Sequence, residues 1–571
     1  MHFSLTLRHR HLAFEAILVL VLVPFPFGVA FGNEVHATEE IQIPRATASK
    51  QGPAARGGFA HRPREFPDDP PTREDTLRTR PRHPAPLWTL GPYQSVQVNV
   101  DQNGNNVIGD AANEPSIAVD PRFPYRMAIG WRQFDTISSN FRQAGRGYST
   151  DSGRSWTFPG VIEPGVFRSD PVLEADADGN FYYYSLTSNG GNYWCHLFKS
   201  LDGGVTWQPG VYAYGGDKAW TAIDRTGGIG RGNFYAAWDP YTWVGCCDTR
   251  VFNRSTDGGL SVEFPVAVVE RPYWGVTEVG PDGTVYVVGV SWDNEPDIIV
   301  VRSTTAQNSG VAPSFDPAVT VNLGGVVQVG VSNSPNPVGL LGQVWIASDH
   351  STGPTGGNLY VLASVDPPGA DPLDVHFIRS LDGGTTWSPA VRVNDDAPGT
   401  NAWQWFGTMA VAPNGRIDVI WNDTRSVPGG YDSRLYYSFS QDAGVTWSPN
   451  VPVSPTFNPH LGWPNQSKLG DYYDMVSDAI GAHVAYAATF NGEQDVYYLR
   501  IGDYDCNSNG IGDMTDVAGG FSLDINANGV PDECESIDAP AVSFIGAAMM
   551  TAALLGAGWS ILAARRDYRK V

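Results

Sequence analysis

An eight-residue motif, Ser/Thr-x-Asp-x-Gly-x-Thr/Ser-Trp, constrains this chain more than any other feature. It reads SLDGGVTW at Ser200–Trp207 and SLDGGTTW at Ser380–Trp387, and its aspartate falls at Asp151, Asp202, Asp257, Asp382 and Asp442. The intervals are 51, 55, 125 and 60 residues, the longest being two periods with one copy eroded. In the third copy, STDGGLSV, Val262 replaces the tryptophan. Recurrence at this period means one supersecondary unit used many times, not a site built once.

Other features keep the same phase. Each motif follows an apolar strand, a turn and a second apolar strand, as in SIAVDPRFPYRMAIGW, VLEADADGNFYYYSL and MAVAPNGRIDVIW. Seven units start near residues 113, 169, 217, 273, 343, 402 and 470, each with about four short strands. The fold class is therefore all-β: a β-propeller of about seven four-stranded blades, six being left open. The last unit ends near Ile501 with three strands, and SVQVNV (Ser95–Val100) is placed to supply the fourth and close the ring. The motif lies between the third and fourth strands. Its Asp accepts backbone N–H groups, its Gly allows positive φ and its Trp packs on the blade, so it is a structural turn.

The five copies resemble the Asp-box (BNR-repeat) propellers, best known from the sialidases, over residues 93–503. That resemblance implies three arginines on a substrate carboxylate, a Tyr–Glu nucleophile pair, an Asp acid/base and an Arg-Ile-Pro motif. The matching stretch here is FPYRMAIGW (Phe123–Trp131), where Met and Ala follow Arg126, so that last motif is absent.

Strand alternation places the inner-strand starts and the strand two–three loops on the face opposite the motif. The ring brings together there Asn113–Glu114, Arg168–Asp170, Asp217–Lys218, Tyr273–Trp274, Trp403–Trp405 and Asp471–Tyr472. The loops add Arg132, Asp239, Trp243, Asp293, Glu295, Asp423 and Arg425. Carboxylates, cations and aromatics at one mouth suit a sugar or anionic ligand. Glu114, Asp170, Asp423 and Arg425 are the catalytic candidates. Arg132, Arg168, Lys218, Tyr273, Trp274, Trp405, Asp471 and Tyr472 are the ligand-binding ones. Tyr273 or Tyr472 with Glu114 is the candidate nucleophile pair.

The ends point outside the cell. Arg8–His11 precede an apolar run from Ala16 to Phe31, and VHA (Val35–Ala37) offers a signal-peptidase site, so residues 1–37 read as a signal peptide. Residues 38–92 read as a disordered Pro/Arg-rich spacer. The uncharged run 541–564 is about 36 Å long as a helix, at roughly 1.5 Å per residue. The basic residues 565–571 follow it and stay cytoplasmic. Export with a C-terminal membrane anchor is expected. The formal net charge of −23 excludes a nucleic-acid partner.

Before the anchor, residues 504–536 carry two loops of calcium-binding spacing. In DCNSNGIGDMTD the ligands are Asp505, Asn507, Asn509, the Ile511 carbonyl, Asp513 and Asp516; in DINANGVPDECE they are Asp524, Asn526, Asn528, the Val530 carbonyl, Asp532 and Glu535. Alternating oxygen ligands with Gly at position six wrap one hard cation. The pair resembles dockerin and thrombospondin type 3 loops and implies structural calcium. Cys506 and Cys534 bracket the pair as a disulfide, and Cys195 is expected to pair with Cys246 or Cys247. Together these readings describe a surface-anchored propeller that recognises, and as an exo-sialidase-like glycoside hydrolase would cleave, an extracellular glycan. The alternative is a non-catalytic propeller that binds polysaccharide or protein.

Overall fold

A computed structural model of the chain describes residues 69–71, 82–189, 192–240, 247–507, 509–527 and 529–534. All belong to one compact unit, Arg62–Val571. The expected signal peptide, the membrane run 541–564, the basic tail, Trp243, Cys246, Asn528 and Glu535 lie outside these residues. Among the described residues no helix is long and apolar enough to cross a membrane.

Among the described residues seven antiparallel sheets follow one another as blades, beside one two-stranded sheet outside the ring. Blade 1 holds Ala111–Val119, Met127–Phe134 and Gln143–Ser149, its outer edge completed by bridges Ala144–Ile162 and Tyr148–Thr157. Blade 2 holds Ser169–Ala175, Phe181–Asn189, Asn192–Ser200 and Val211–Tyr212, and blade 3 holds Trp220–Ile223, Phe234–Ala237, Arg250–Ser255 and Val266–Ala267. In blade 4 the inner strand is split into Pro272–Tyr273 and Thr277–Val279, ahead of Val285–Ser291, Ile298–Ser303 and Val319–Val321. Blade 5 holds Trp345–Ser348, Leu359–Val365, Asp374–Ser380 and Val391–Arg392. Blade 6 holds Gln404–Val411, Ile417–Asp423, Arg434–Ser440 and Val451–Pro452. The near-continuous apolar runs of the second strands reflect burial on both faces, between neighbouring blades.

Blade 7 closes the ring as the strand count required. Its strands Asp474–Ser477, Ala482–Ala488 and Asp495–Ile501 are joined by Tyr93–Gln97, with Ser95 opposite Leu499 and Gln97 opposite Tyr497. Asn99 extends the seam, its amide donating to Asp495 at 2.7 Å while its oxygen accepts the Val496 N–H at 3.0 Å. The order begins before residue 93, a correction to the spacer boundary. Trp88–Leu90 pairs with Tyr93–Gln97 and Arg82–Pro84 pairs with Asn105–Val107, because Trp88 has a partner in Phe490, 5.3 Å away.

The five repeated turns share one set of bonds. The first Ser accepts the Gly N–H at 2.8–2.9 Å, in Gly153, Gly204, Gly259, Gly384 and Gly444 alike. The Asp takes the N–H and hydroxyl of the residue four positions on, as Thr206 does for Asp202 at 2.9 and 2.5 Å. Each turn also presses on the preceding blade. A Cβ on Gly444 would lie 2.1 Å from the Phe377 ring, and one on Gly153 would lie 2.3 Å from the Tyr498 ring. Gly444 and Gly399 have the same φ of +77°, yet Gly399 faces open space. Gly399→Ala should therefore cost about 1–2 kcal/mol, for left-handed backbone alone, and Gly444→Ala about 2–4 kcal/mol, since overpacking adds to it. Urea unfolding of the two variants measures the difference.

Candidate functional site

The mouth is built by a backbone feature common to all seven blades. The residue at the start of each inner strand has positive φ: Glu114 (+49°), Asp170 (+48°), Lys218 (+52°), Trp274 (+54°), Gly342 (+154°), Phe406 (+60°) and Gly470 (+99°). Register shifts at Asn113/Ser116, Ser169/Val172 and Trp405/Thr408 mark the same place as a bulge.

Blades 7, 1, 2 and 3 contribute charges there, and these meet. Lys218 Nζ lies 2.8 Å from Asp471 Oδ2 and 3.5 Å from both Asp170 and Asp217. Lys468 Nζ lies 2.8 Å from Asp471 and 3.6 Å from Glu114, and Arg132 Nε is 3.1 Å from Glu114. Blades 3 and 7 are not neighbours, so the Lys218–Asp471 contact crosses the axis. Trp220, Trp345 and Tyr472 from blades 3, 5 and 7 also meet there, with centroids 5.1 Å apart.

The cluster is buried rather than open, a correction to the mouth expected from the sequence: Glu114, Arg132, Lys468 and Asp471 are all 0% exposed. The reason is the long segment between Val321 and Trp345, which reaches blade 7. Asn336 bonds the Gly470 carbonyl and the Leu469 N–H at 2.8 Å, and Leu340 N–H donates to Asp471 at 2.8 Å. Burial sets the electrostatics. It raises Glu114 to about 7, against the opposing pull of Arg132, with Asp471 adding to the rise. For Asp170 the Lys218 ammonium and the Ser169 hydroxyl overcome burial and hold the carboxyl at about 2. Burial would depress the Lys218 amine, but Asp170, Asp217 and Asp471 hold it well above its usual value.

The remaining candidates do not join this cluster. Arg168 pairs with Glu163 and lies 5.0 Å from the Phe198 ring. Arg425 is held by Asp423 at 2.8 Å and Asp395 at 2.6 Å, and lies 4.4 Å over the Tyr436 ring. Its contacts with Asp395 and Asn450 tie blade 6 to the loop leaving blade 5. The arginines Arg132, Arg168 and Arg425 are thus on separate partners. Trp405 is buried, with its indole N–H on Ser433 at 3.1 Å, and Trp274 is buried with its backbone N–H on Asp239 at 3.1 Å. Tyr472 donates to the Pro171 carbonyl at 2.8 Å, so it does not pair with Glu114.

Tyr273 takes a different carboxylate, donating to Glu295 Oε1 at 2.5 Å. Around this pair stand Trp292, 5.6 Å from the Tyr273 ring, and the Arg271–Asp293 ion pair. Trp292 and Glu295 are half-buried and Asp293 is exposed, so this rim of blade 4 meets solvent. Cys195 is a buried free thiol, 3.7 Å from the Gly216 carbonyl, and Cys247 is disulfide-bonded elsewhere; neither expected 195 pairing forms. Strand phase places Glu295 at the mouth without giving Tyr273 as its partner, and it does not mark Lys468, three residues ahead of Asp471.

The two tail loops repeat one geometry. Gly510 N–H donates to Asp505 at 2.9 Å as Gly529 does to Asp524 at 2.8 Å, and Cys506 N–H donates to Asp513 as Ile525 does to Asp532. Cys506 and Cys534 form the expected disulfide. In the first loop the Asn507 and Asn509 amides reach Asp516 at 3.1 and 2.6 Å. Asp516 is fully buried, and its other oxygen has no hydrogen-bond partner. Carboxylates and amides around such an oxygen fit a hard cation, because either end of an amide can turn inward.

No family model and no curated protein matches the chain. Among solved structures it is similar to a protein of unknown function from Dyadobacter fermentans DSM 18053, at 13% identity and a TM-score of 0.40, covering 72% of this chain and 97% of that one. A polysaccharide lyase of family PL25, an ulvan lyase, is similar at 11% and 0.40, with 72% and 96% covered. Trypanosoma rangeli sialidase is similar at 12% and 0.35, and this chain spans 60% of its length. Likenesses this distant carry no assignment of substrate.

At the far end of the axis Glu174 pairs with Arg225 at 2.8 Å and is pushed up to about 8 by burial, in spite of Arg225. Glu114 and Glu174 retain protons in the folded protein at a pH where the unfolded chain has released them. Stability therefore falls as pH rises from 7 to 9, a range above the usual histidine titration. Glu174→Gln should remove about 1 kcal/mol of that fall, measured by urea unfolding at both pH values.

Proposed function

We propose that this protein is an exported, C-terminally anchored propeller that binds an extracellular glycan without cleaving it. The observation that carries the reading is the scatter of the arginines: Arg132, Arg168 and Arg425 are each bound to different carboxylates, where a sialidase-like site needs them on one ligand. The covered axial charges form a closed network that braces the blades. The ligand surface is the rim of blade 4, where the half-buried Trp292, with Tyr273 and Arg271 against its ring, stands beside Glu295, Asp293 and Asn294. An aromatic face with a few hydrogen-bonding groups suits the apolar faces and hydroxyls of a sugar. Export and anchoring rest on the leader, the run 541–564 and its basic flank. Calcium in the tail loops, held by Asp505, Asn507, Asn509, the Ile511 carbonyl and Asp516 in the first, stiffens the stalk.

A second reading is favoured by the Tyr273–Glu295 contact, the Tyr–Glu pairing that a retaining sialidase-like hydrolase requires. The two separate by experiment. On a glycan array and in titrations of its hits, Trp292→Ala should weaken binding about tenfold or more, the loss of one stacking aromatic being about 1–2 kcal/mol. The wild-type protein should release no sialic acid from an aryl sialoside. Release that disappears in Tyr273→Phe would establish the hydrolase instead.

A further inference from the structure

The tail loops do not hang free of the propeller; they sit on the seam where its ring closes. In the other blades the third strand runs on toward its own outer strand. In blade 7 the outer strand comes from the N-terminal side, so the chain leaves Ile501 and enters the first loop directly. Arg500 fixes that exit, pairing with Asp478 at 2.6 Å and donating to the Asp503 carbonyl at 2.8 Å.

The same loop reaches blade 1. Arg154, from the first repeated turn, lies 4.0 Å over the Tyr504 ring, and its Nη2 is 3.0 Å from Asp513 Oδ2. The other Asp513 oxygen accepts the Cys506 N–H at 2.9 Å. Asp513 therefore has both oxygens engaged and acts as a link, while Asn507 and Asn509 face Asp516 and Asp505 holds the loop turn through the Asn509 and Gly510 N–H groups. Beside it, the Tyr498 hydroxyl of blade 7 donates to the Ser152 carbonyl of blade 1 at 3.3 Å. Asp513 and Asp516 sit on one short helix, Asp513–Gly519. Whatever fixes Asp516 fixes the residue that grips Arg154.

We infer that the first loop is a calcium-dependent latch across the blade 7–blade 1 seam. The inference rests on the calcium reading above and goes beyond it: the cation stabilises the closure of the propeller as well as the stalk. Calcium bound at Asp505, Asn507, Asn509 and Asp516 neutralises the buried carboxylates and holds the helix start, and Asp513 passes that order to Arg154. The coupling is reciprocal, so breaking the Arg154 contact must weaken calcium binding by the factor with which calcium tightens the seam.

The test uses the full chain, with calcium chloride or EGTA as the only variable. Calcium affinity is read by isothermal titration, and the seam by hydrogen exchange in residues 149–156 and 495–501. Calcium should slow exchange in both segments about fivefold or more. Arg154→Ala should abolish that slowing at 149–156 and weaken the first-loop affinity by a similar factor, while Arg154→Lys retains part of both. Calcium binding by the wild type with unchanged exchange at the seam would overturn the latch and leave the calcium site standing. Absence of calcium binding up to millimolar concentration would overturn the site itself, and the latch with it.

Discussion

Everything in this molecule depends on one antiparallel pairing, Tyr93–Gln97 against Asp495–Ile501. Six blades are each made from a continuous stretch of chain and can form locally. The seventh needs two segments about 400 residues apart in sequence, and only their meeting removes the last open sheet edge. The entropy of joining distant segments grows slowly with separation, so a few ladder bonds and the buried Asn99–Asp495 contact suffice. Once closed, each blade lies between two others, which is why the second strands are apolar on both faces. The closure also fixes where the tail leaves the ring, and that places Asp513 beside Arg154.

The architecture was legible in the sequence because its chemistry is local. The repeated turn satisfies Ser200, Asp202, Gly204 and Thr206 within one octapeptide, so residue identity alone reports the geometry. The missing outer strand could be deduced because a three-stranded end cannot close a ring. The spacer boundary was misjudged because Trp88–Leu90 and Arg82–Pro84 sit among prolines and arginines. Their order comes from partners far along the chain, Phe490 and Asn105–Val107.

The candidate site was legible in part. Phase alone brought Glu114, Asp170, Lys218, Asp471 and Tyr472 to one end of the axis, and they are neighbours there. Phase could not say that they would be covered, since the covering segment has no period and reads as an ordinary polar loop around Ser334–Pro337. Nor could it choose counter-charges. Arg425 meets Asp395 across a blade boundary, and Tyr273 meets Glu295 across a hairpin, distances set by tertiary packing. The 195 disulfide failed for the same reason: adjacency of loops does not bring two sulfurs within bonding reach.

The left-handed residue at each inner-strand start ties these points together. For Trp274 and Phe406 such backbone costs about 1–2 kcal/mol each, and it persists because the bulge is bonded into the neighbouring blade: Val344 N–H donates to the Trp274 carbonyl and Phe406 N–H to the Leu341 carbonyl, both at 2.8 Å. Positive φ recurs at all seven inner-strand starts, three of them at register-shift bulges, and the sequence fills these positions unevenly. Blades 7, 1, 2 and 3 bring the interlocked charges, whereas blades 4, 5 and 6 bring Trp274, Gly342 and Phe406. The charged half is neutralised from within and sealed by Asn336 and Leu340. The Trp292 rim of blade 4 lies on the other half, where the inner strand is broken between Tyr273 and Thr277 and where Tyr273 is held by Glu295 and Arg271 by Asp293.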